Sequence, residues 1–481
     1  MSVHPPSVHP PSVHPPSAHP HRWWALCALL TAEAMNLLDA TIVQVAAPRM
    51  HAELGGPTAT VPWLTSAYTL PFAVLLLTGG RLGDRLGRRR MFRIGVAGFL
   101  LASLACACAP TLDALLAFRA VQGAAAAVIV PQTIGLIKAM FRGEETARAL
   151  GTIGPVMGLA AVAGPVLGGL LTHADLFGSS WRAVFLVNLP LSLVVLALAP
   201  LLAEDRAPRR PDLDPLGSTL AALATGSVVL PLLSGGGSWV LVAAGAVLAL
   251  LFAAHQRYGA RRGADTLVEP SLFRSLRFPA ALVALALAFA VTTGLTLVVV
   301  LQLQLASGAD ALTCGLTLLP MSAGLAAGSL WAGGALVRRY GARVMPVGLA
   351  VMATGLLVAV AAYRTGERPE LLPYALAVVG LGQGLFTPAF FTTALQPLRP
   401  QETGSAAGLL NAVQQLGATL GVALLGRLYL ADPSAAGAQR ACWVTVAALA
   451  AAAVAGRVMT ARHAAEWDGR ASDHREPTHA R

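Results

Sequence analysis

The sequence has 481 residues, of which 56% are apolar and only 12% are charged, whereas a soluble domain carries about 25% charged residues. A mean hydropathy of +0.65, with 48 Gly and 32 Pro, excludes a disordered chain, a coiled coil and a disulfide scaffold, and it indicates a polytopic membrane protein. The formal charge of +11 does not point to nucleic acid, because the arginines lie in short loops and form no basic patch with interleaved aromatic residues.

The residue types that carry enzyme or cofactor chemistry are sparse. The five cysteines are odd in number and fall in apolar stretches, so a disulfide framework is not expected. No histidine lies well inside an apolar run, which excludes a membrane haem and a buried zinc centre. The sequence contains no nucleotide-binding loop and no catalytic triad or acid pair of hydrolase type. We therefore expect no cofactor, no metal and no enzyme activity, and an ion gradient as the energy source.

Two polar tails flank the apolar part of the chain. Residues 2–20 repeat Ser-Val-His-Pro-Pro with a period of five, and proline at this density excludes a helix. We expect residues 1–22 to form a disordered cytoplasmic tail, without a signal peptide, and residues 461–481 to form a second cytoplasmic tail. Metal capture by the spaced histidines is the less favoured alternative, because tight binding needs a fold that brings the ligands together.

Fourteen apolar runs are each long enough to cross about 30 Å of hydrocarbon. Six of them lie in residues 23–202, two lie with their linkers in residues 203–278, and six lie in residues 279–460. The predicted fold is all-α and membrane-integral, with two six-helix bundles separated by two inserted helices. The runs are 23–47, 61–79, 91–110, 112–137, 149–172, 183–202, 216–233, 238–255, 279–304, 313–335, 344–362, 371–393, 405–429 and 440–459.

The distribution of basic residues predicts the orientation in the membrane. With the N-terminus inside, 27 of the 34 Lys and Arg residues fall in cytoplasmic tails and loops, as cytoplasmic retention of basic residues requires. Arg119 is the basic residue that remains inside an apolar run. The even number of runs then places both termini in the cytoplasm of a bacterial inner membrane.

An internal repeat relates the two halves. The loop 80–89 reads GRLGDRLGRR and the loop 334–343 reads GALVRRYGAR, so Gly, Leu, Arg, Gly and Arg recur at equal spacing, while Arg338 replaces Asp84. Parallel repeats about an axis along the membrane normal produce such a pattern.

The first loop resembles the cytoplasmic-loop signature of the major facilitator superfamily, whose GxLxDRxGRR pattern it meets in full. The two inserted helices resemble those of the fourteen-spanner drug:proton antiporters, and the likeness covers about residues 22–460. Further matching stretches are LDATIVQVA at 38–46 with Gln44 in place of Asn, the RxxQG pattern of Arg119, Gln122 and Gly123, the antiporter pattern in 151–169 with Ala160 in place of Gly, the stretch 181–190, and residues 411–417.

The resemblance and the physics of a charge in hydrocarbon together select the proton-coupling residues. Asp39 lies mid-span, where a carboxylate is protonated part of the time or paired, and we expect it to carry the proton. Arg119 is expected to hold a nearby carboxylate ionised in one state and to move away in another. Glu33 lies about 120° round the helix from Asp39. It is a second titrating site, a contact for a cationic substrate, or a solvated glutamate near the end of the span.

The resemblance also assigns two gates. The cytoplasmic loop is expected to latch against a neighbouring helix through Asp84. The glycine and proline pattern of the fifth span is expected to allow close helix approach and to shape the extracellular gate. The expected gating residues are Gly80, Asp84, Arg85, Gly87, Arg88, Gly164, Pro165, Gly168 and Gly169.

The spans of the second half carry amides and aromatic rings instead of charges, which suits an amphipathic molecule that is neutral or singly cationic. The expected substrate-binding residues are Gln122, Gln302, Gln304, Gln383, Phe386, Asn411 and Gln414.

The sequence therefore predicts a monomeric exporter of small amphipathic drugs, toxins or antibiotics, driven by protons through alternating access. The alternative is a proton-coupled exporter or importer of one metabolite, and the antiporter pattern disfavours import. A membrane sensor or a membrane enzyme is disfavoured because the chain has no signalling domain and no catalytic constellation.

Overall fold

The computed structural model describes residues 21–175, 178–205, 213–234, 238–264, 266–365 and 370–460, and these residues contain helices and no β-strand. Thirteen segments in this part of the chain are long and apolar enough to cross a membrane. One of them, Ala311–Arg364, has 54 residues, which is about 80 Å of helix and too long for one crossing. Gly341, with a φ of 55°, breaks this segment into two helices, so the described residues provide fourteen helical segments of membrane-spanning length.

The membrane helices agree with the predicted runs to within a few residues at most ends. Residues 1–20 and 461–481 of the predicted tails lie outside the described residues. The helices are α1 Arg22–Leu54, α2 Val61–Leu86, α3 Arg88–Ala107, α4 Leu112–Met140, α5 Ile153–Ala174, α6 Asn188–Leu198, α7 Pro215–Ser234, α8 Trp239–Arg261, α9 Arg277–Leu301, α10 Ala311–Trp331, α11 Val344–Thr365, α12 Leu371–Leu395, α13 Pro400–Leu430 and α14 Ala435–Thr460.

Local sequence signals set several helix ends. Thr111 precedes α4 and accepts a hydrogen bond from the Ala114 N–H, which satisfies a donor that the first turn of a helix leaves open. Asp310 caps α10 in the same way through the Thr313 N–H. Gly87 separates α2 from α3 with a φ of 105°, a conformation that side chains other than glycine rarely adopt.

The internal repeat is visible in the helix packing. In the first bundle α2 packs on α4, α1 on α5, α3 on α4 and α3 on α6. In the second bundle α10 packs on α12, α9 on α13, α11 on α12 and α11 on α14. Each helix of the first bundle therefore has a counterpart eight helices later, as the repeated loops predict.

Two symmetric contacts join the bundles. Helix α5 packs on α10, and its counterpart α13 packs on α2. Helix α7 of the inserted hairpin packs on both α2 and α13, so it covers this second seam, while α8 packs mainly on α7.

The two ends of the bundle differ in charge. We refer to the end that carries the loops 80–89 and 334–343 as the arginine-rich face, which the sequence assigns to the cytoplasm, and to the other end as the opposite face. A buried apolar cluster joins both bundles near the opposite face and includes Ile42 and Trp181 of the first bundle and Leu297, Val422 and Tyr429 of the second.

Candidate functional site

Asp39 is the centre of a buried polar network in the first bundle. Its side chain is 0% exposed, and its Oδ2 lies 2.5 Å from Nη1 of Arg119, whose side chain is also 0% exposed. Its Oδ1 accepts hydrogen bonds from Nε2 of Gln122 at 2.9 Å and from Nδ2 of Asn188 at 2.8 Å. Both carboxylate oxygens therefore have partners, which compensates the loss of hydration that burial imposes on a charge.

Arg119 is fixed by several groups besides Asp39. Its Nη1 donates to Oε1 of Gln122 at 2.7 Å, and its Nε donates to the Leu64 carbonyl at 3.3 Å. The guanidinium carbon lies 4.5 Å from the centre of the Tyr68 ring, close enough for a cation–π contact. Its Nη2 is buried and has no hydrogen-bond partner among the described residues. The site thus keeps one open donor beside the ion pair.

Helices from most of the first bundle converge on this ion pair. Ser103 of α3 accepts a hydrogen bond from Gln122 of α4 at 2.9 Å, and Asn188 begins α6. The matching stretch 181–190 contains Asn188 without marking it as part of the site, and no pattern in the sequence marks Ser103. A single Ser or Asn within an apolar run looks like an ordinary packing residue until the tertiary structure brings it to a charge.

Glu33 lies apart from the ion pair, as its position on α1 predicts. The side chain is partly buried and lies beside Thr133 of α4, so it faces the interior of the first bundle and not lipid.

Asp84 and Arg88 of the loop 80–89 form their charged contacts inside the first bundle, while Arg81 donates a hydrogen bond to the Thr266 carbonyl in the segment before α9. Oδ1 of Asp84 accepts two hydrogen bonds from Arg88, at 2.7 and 3.1 Å, and Arg88 also lies 3.3 Å from Oδ2 of Asp205, after α6. Gly87 provides the turn, and Arg85 is exposed.

The glycines of this loop and the helix before it permit close packing. A Cβ at Gly83 would overlap the Gln132 side chain, and a Cβ at Gly80 would touch Pro131 at 3.5 Å. The loop therefore packs closely on α4 of its own bundle.

The glycine and proline pattern of α5 serves two helix contacts. Gly164 and Gly168 face α1. An added Cβ at Gly164 would overlap the side chain of Thr41, and one at Gly168 would lie 2.9 Å from the Ile42 carbonyl oxygen. Gly169 faces α10 of the second bundle, where an added Cβ would approach Leu312 Cα at 2.9 Å. The Pro165 carbonyl meets Gly315 of α10 so closely that no side chain fits between them.

Polar contacts also close the opposite face. Nδ1 of His173 at the end of α5 lies 3.0 Å from Oδ2 of Asp310 at the start of α10, so this pair joins the two bundles. Gln304 donates from Nε2 to the Val45 carbonyl at 2.8 Å, again across the boundary. Gln302 accepts from the Tyr429 hydroxyl at 2.8 Å within the second bundle.

The close contact between α5 and α10 extends toward the arginine-rich face as far as Gly158, where an added Cβ would lie 3.5 Å from Cβ of Ala326. An added Cβ at Gly154 of α5, or at Gly333 or Gly334 beyond the end of α10, would meet no described atom within 4 Å. Among the described residues, Asp84 pairs with Arg88 of its own bundle and not with the second bundle. In this conformation Asp84 therefore contributes no contact between the two bundles.

The structure distributes the expected substrate-binding residues over different environments. Gln122 is 0% exposed, and it hydrogen-bonds both Asp39 and Arg119 of the ion pair. Phe386 is also 0% exposed and stacks on Phe390, 5.3 Å away, inside the second bundle. Asn411 and Gln414 of α13 are partly exposed, and Gln383 is partly exposed on α12. Gln302 and Gln304 belong to the contacts near the opposite face described above.

The described residues contain no group of three or more His, Cys, Asp or Glu side chains that could hold a metal ion.

Comparisons with known sequences identify the family. The sequence profile of the Major Facilitator Superfamily matches residues 29–422. A probable actinorhodin transporter of Streptomyces coelicolor is 42% identical over 85% of this chain and 72% of its own length. A puromycin resistance protein of Streptomyces alboniger is 34% identical, over 85% of this chain and 84% of its own. A tetracenomycin C resistance and export protein of Streptomyces glaucescens is 30% identical, over 84% and 76%.

Comparisons with solved structures agree on the fold. A bacterial homolog of the human lysosomal transporter Spinster superposes with a TM-score of 0.65 at 17% identity, over 92% of this chain and 98% of its own. A D-xylose–proton symporter superposes with a TM-score of 0.64 at 12% identity, over 90% and 97%. The chain therefore belongs to the major facilitator superfamily, and it is a multi-pass membrane transporter.

Proposed function

We propose that this chain exports small amphipathic antibiotics or drugs, neutral or singly cationic, from the bacterial cytoplasm in exchange for protons. The observation that carries the proposal is the fully buried pair of Asp39 and Arg119. A carboxylate at this depth stays ionised only while a cation and hydrogen-bond donors compensate it. When Arg119 moves out of reach, the same burial favours the protonated acid, so movement of one helix is coupled to movement of one proton.

Export of drugs is supported by the relatives, three of which carry transport, resistance or export of an antibiotic in their names. The partly exposed amides Asn411, Gln414 and Gln383 offer hydrogen bonds without a fixed charge. Glu33 is the acidic group that a cationic substrate would meet in the first bundle. Such a surface favours molecules that are mostly apolar with a few polar groups.

Alternating access is supported by the arrangement of the two bundles. The pattern of Pro165, Gly168 and Gly169 lets α5 approach both α1 and α10 closely, so that the opposite face can close. Asp84 is free of the second bundle in this conformation, and we propose that it latches there when the arginine-rich face closes. With the arginine-rich face in the cytoplasm and both termini on that side, substrate enters from the cytoplasm and leaves at the opposite face.

The test is proton movement in inside-out membrane vesicles whose lumen has been acidified. Addition of a panel of neutral and singly cationic antibiotics and dyes should release protons from the lumen and load the compound into it. Asp39→Asn should abolish the proton release. Asp113→Asn, which neutralises an exposed aspartate at the start of α4, is the matched control and should leave it unchanged.

Each result separates the alternatives. Uptake of compound into the lumen without proton release would contradict antiport. Proton release that Asp39→Asn leaves unchanged would contradict the role of Asp39. A response to one metabolite alone would favour the narrower exporter over a drug exporter.

A further inference from the structure

A cavity of about 170 Å³ lies at the arginine-rich face, between the start of α11 and the end of α14. Arg343 precedes α11 and Arg457 lies in the last turn of α14, and both side chains are exposed. Between them the cavity wall is apolar and runs along the helices into the bundle. The apolar lining residues are Met345, Pro346, Leu349, Ala453 and Gly456.

The internal repeat allows the charges at this cavity to be compared with those at the equivalent place in the first bundle. Arg343 occupies the place in loop 334–343 that Arg89 occupies in loop 80–89. Arg89 is neutralised by Oε2 of Glu204, which follows α6 and lies 3.4 Å from its Nε. Because α14 is the counterpart of α6, the end of α14 is where an equivalent acid would lie.

The second bundle has a cation there in place of the acid. Arg457 lines the same cavity as Arg343, and neither forms an ion pair with an acidic residue in the described part of the chain. Two guanidinium groups at one cavity repel each other unless an anion lies between them. The N-terminus of α11 opens on the same cavity and adds partial positive charge.

The combination of charged and apolar lining favours one kind of anion. The cavity joins a cationic rim at the level of the arginine-rich loops to an apolar wall that extends toward the hydrocarbon. A basic pocket between membrane helices on the cytoplasmic side fits an anionic lipid headgroup. A guanidinium pair binds phosphate oxygens with charge-assisted hydrogen bonds. A soluble anion would leave the apolar wall uncovered.

We propose that this cavity binds an anionic phospholipid of the cytoplasmic leaflet. The phosphate lies between Arg343 and Arg457, and an acyl chain covers Leu349 and Ala453. The lipid supplies to the second bundle the negative charge that Glu204 supplies to the first.

The experiment is native mass spectrometry of the full-length protein in detergent, titrated with phosphatidylglycerol and, in parallel, with phosphatidylcholine of the same acyl chains. We expect tighter binding of phosphatidylglycerol to the wild type. The double variant Arg343→Gln/Arg457→Gln should bind its first phosphatidylglycerol about 30-fold more weakly. Two basic residues near an anionic lipid surface together contribute about 2 kcal/mol of attraction, which corresponds to that change in affinity. Arg90→Gln/Arg93→Gln removes the same charge from exposed positions on α3 and should bind like the wild type.

A third variant separates lipid binding from folding. Arg457→Glu places a carboxylate beside Arg343, as Glu204 lies beside Arg89, so it should keep the thermal stability of the lipid-free protein and lose the preference for phosphatidylglycerol.

Three results would overturn the proposal. The first is equal binding of the two lipids by the wild type. The second is an unchanged preference in Arg343→Gln/Arg457→Gln or in Arg457→Glu. The third is a preference for phosphatidylglycerol that is absent from the wild type and emerges only when Glu466 and Asp468 are neutralised. In that case these acids of the C-terminal segment, and not a lipid, would occupy the cavity of the wild type.

Discussion

Asn188 donates a hydrogen bond from Nδ2 to Oδ1 of Asp39 at 2.8 Å, and it does so from the first residue of α6. Helix α6 thereby contacts the same carboxylate that Arg119 of α4 neutralises through the other oxygen. The proton-coupling group proposed here is held between three helices, so its environment changes when any of them moves.

Replacing Asn188 should impair transport more than folding. A hydrogen bond to a charged group contributes about 1.5–3 kcal/mol, so we expect Asn188→Ala to lower proton-coupled efflux about 10-fold or more in the vesicle assay. Ser192→Ala is the control, because Ser192 is a buried polar residue of the same helix that contacts Met35 and not Asp39. Equal losses in the two variants would indicate a general packing defect of α6.

Gly169 should control how far the opposite face can close. A Cβ at this position would meet Leu312 Cα at 2.9 Å, and overpacking of this kind costs about 1–3 kcal/mol. We therefore expect Gly169→Ala to shift the population away from the closed opposite face by about 10-fold. Gly333→Ala is the control, since its Cβ would meet no described atom within 4 Å.

The shift can be measured as the distance between spin labels at Leu170 of α5 and Leu316 of α10, two exposed positions, in a background without the native cysteines. The labels should lie farther apart in Gly169→Ala than in the wild type or in Gly333→Ala. An unchanged distance in Gly169→Ala would show that the helices adjust locally without opening.

The sequence is sufficient to predict the membrane helices and to single out two charged residues that meet in the structure. An apolar run of this length predicts a membrane-crossing helix, because a helix is the single segment whose backbone hydrogen bonds are all satisfied inside lipid. Asp39 and Arg119 were identifiable because ionised side chains inside such runs are rare and need each other. Their pairing at 2.5 Å across α1 and α4 agrees with that reasoning.

The sequence could not predict which side chains meet across helices. Membrane helices are apolar on nearly all sides, so the face that turns toward a partner is not marked by hydrophobicity. Phe386 illustrates this, since nothing in the sequence indicates that it packs against Phe390 inside the second bundle. His173 and Asp310 are likewise distant in the sequence and lie at helix ends, where polar residues are common.

The pair of His173 and Asp310 should make the opposite face sensitive to strong acid. Hydrogen bonds from the Thr313 hydroxyl and N–H hold the pKa of Asp310 below its usual value of 3.8, and His173 lowers it further. A carboxyl whose pKa is lowered by these contacts stabilises them fully above its usual pKa and loses the effect as the pH falls through the lowered value. We therefore expect the closed opposite face to weaken below about pH 3.8.

The spin-label distance between α5 and α10 tests this expectation across a pH series. Asp310→Asn should remove the step in acid, because asparagine caps the helix without titrating. His173→Gln should reduce the closure above that pH while retaining the cap. A step of the same size in Asp310→Asn would assign the pH response to another group.

Asp214 should anchor the inserted hairpin to the arginine-rich face. Its Oδ1 accepts from the Gly217 N–H at 2.8 Å, which caps α7, and lies 2.8 Å from Nε2 of His255, while its Oδ2 accepts from Gln256 at 2.6 Å. Partial burial raises the pKa of Asp214, but the hydrogen bonds from Gly217, His255 and Gln256 outweigh it, and the pKa lies below its usual 3.8.

Loss of this carboxylate should loosen α7 and α8 without affecting the ion pair of the first bundle. Removal of a helix cap costs about 1 kcal/mol, and the partners on α8 lose their acceptor as well, so we expect Asp214→Ala to lower the thermal unfolding temperature measurably in detergent. Asp214→Asn keeps the cap and should lower it less. Because the pKa of Asp214 is lowered, its carboxylate stabilises the hairpin fully above about pH 4 and not at all well below that pH. The difference in unfolding temperature between the wild type and Asp214→Ala should therefore vanish as the pH falls. A difference that persists in acid would mean that the anchor is steric and not the carboxylate.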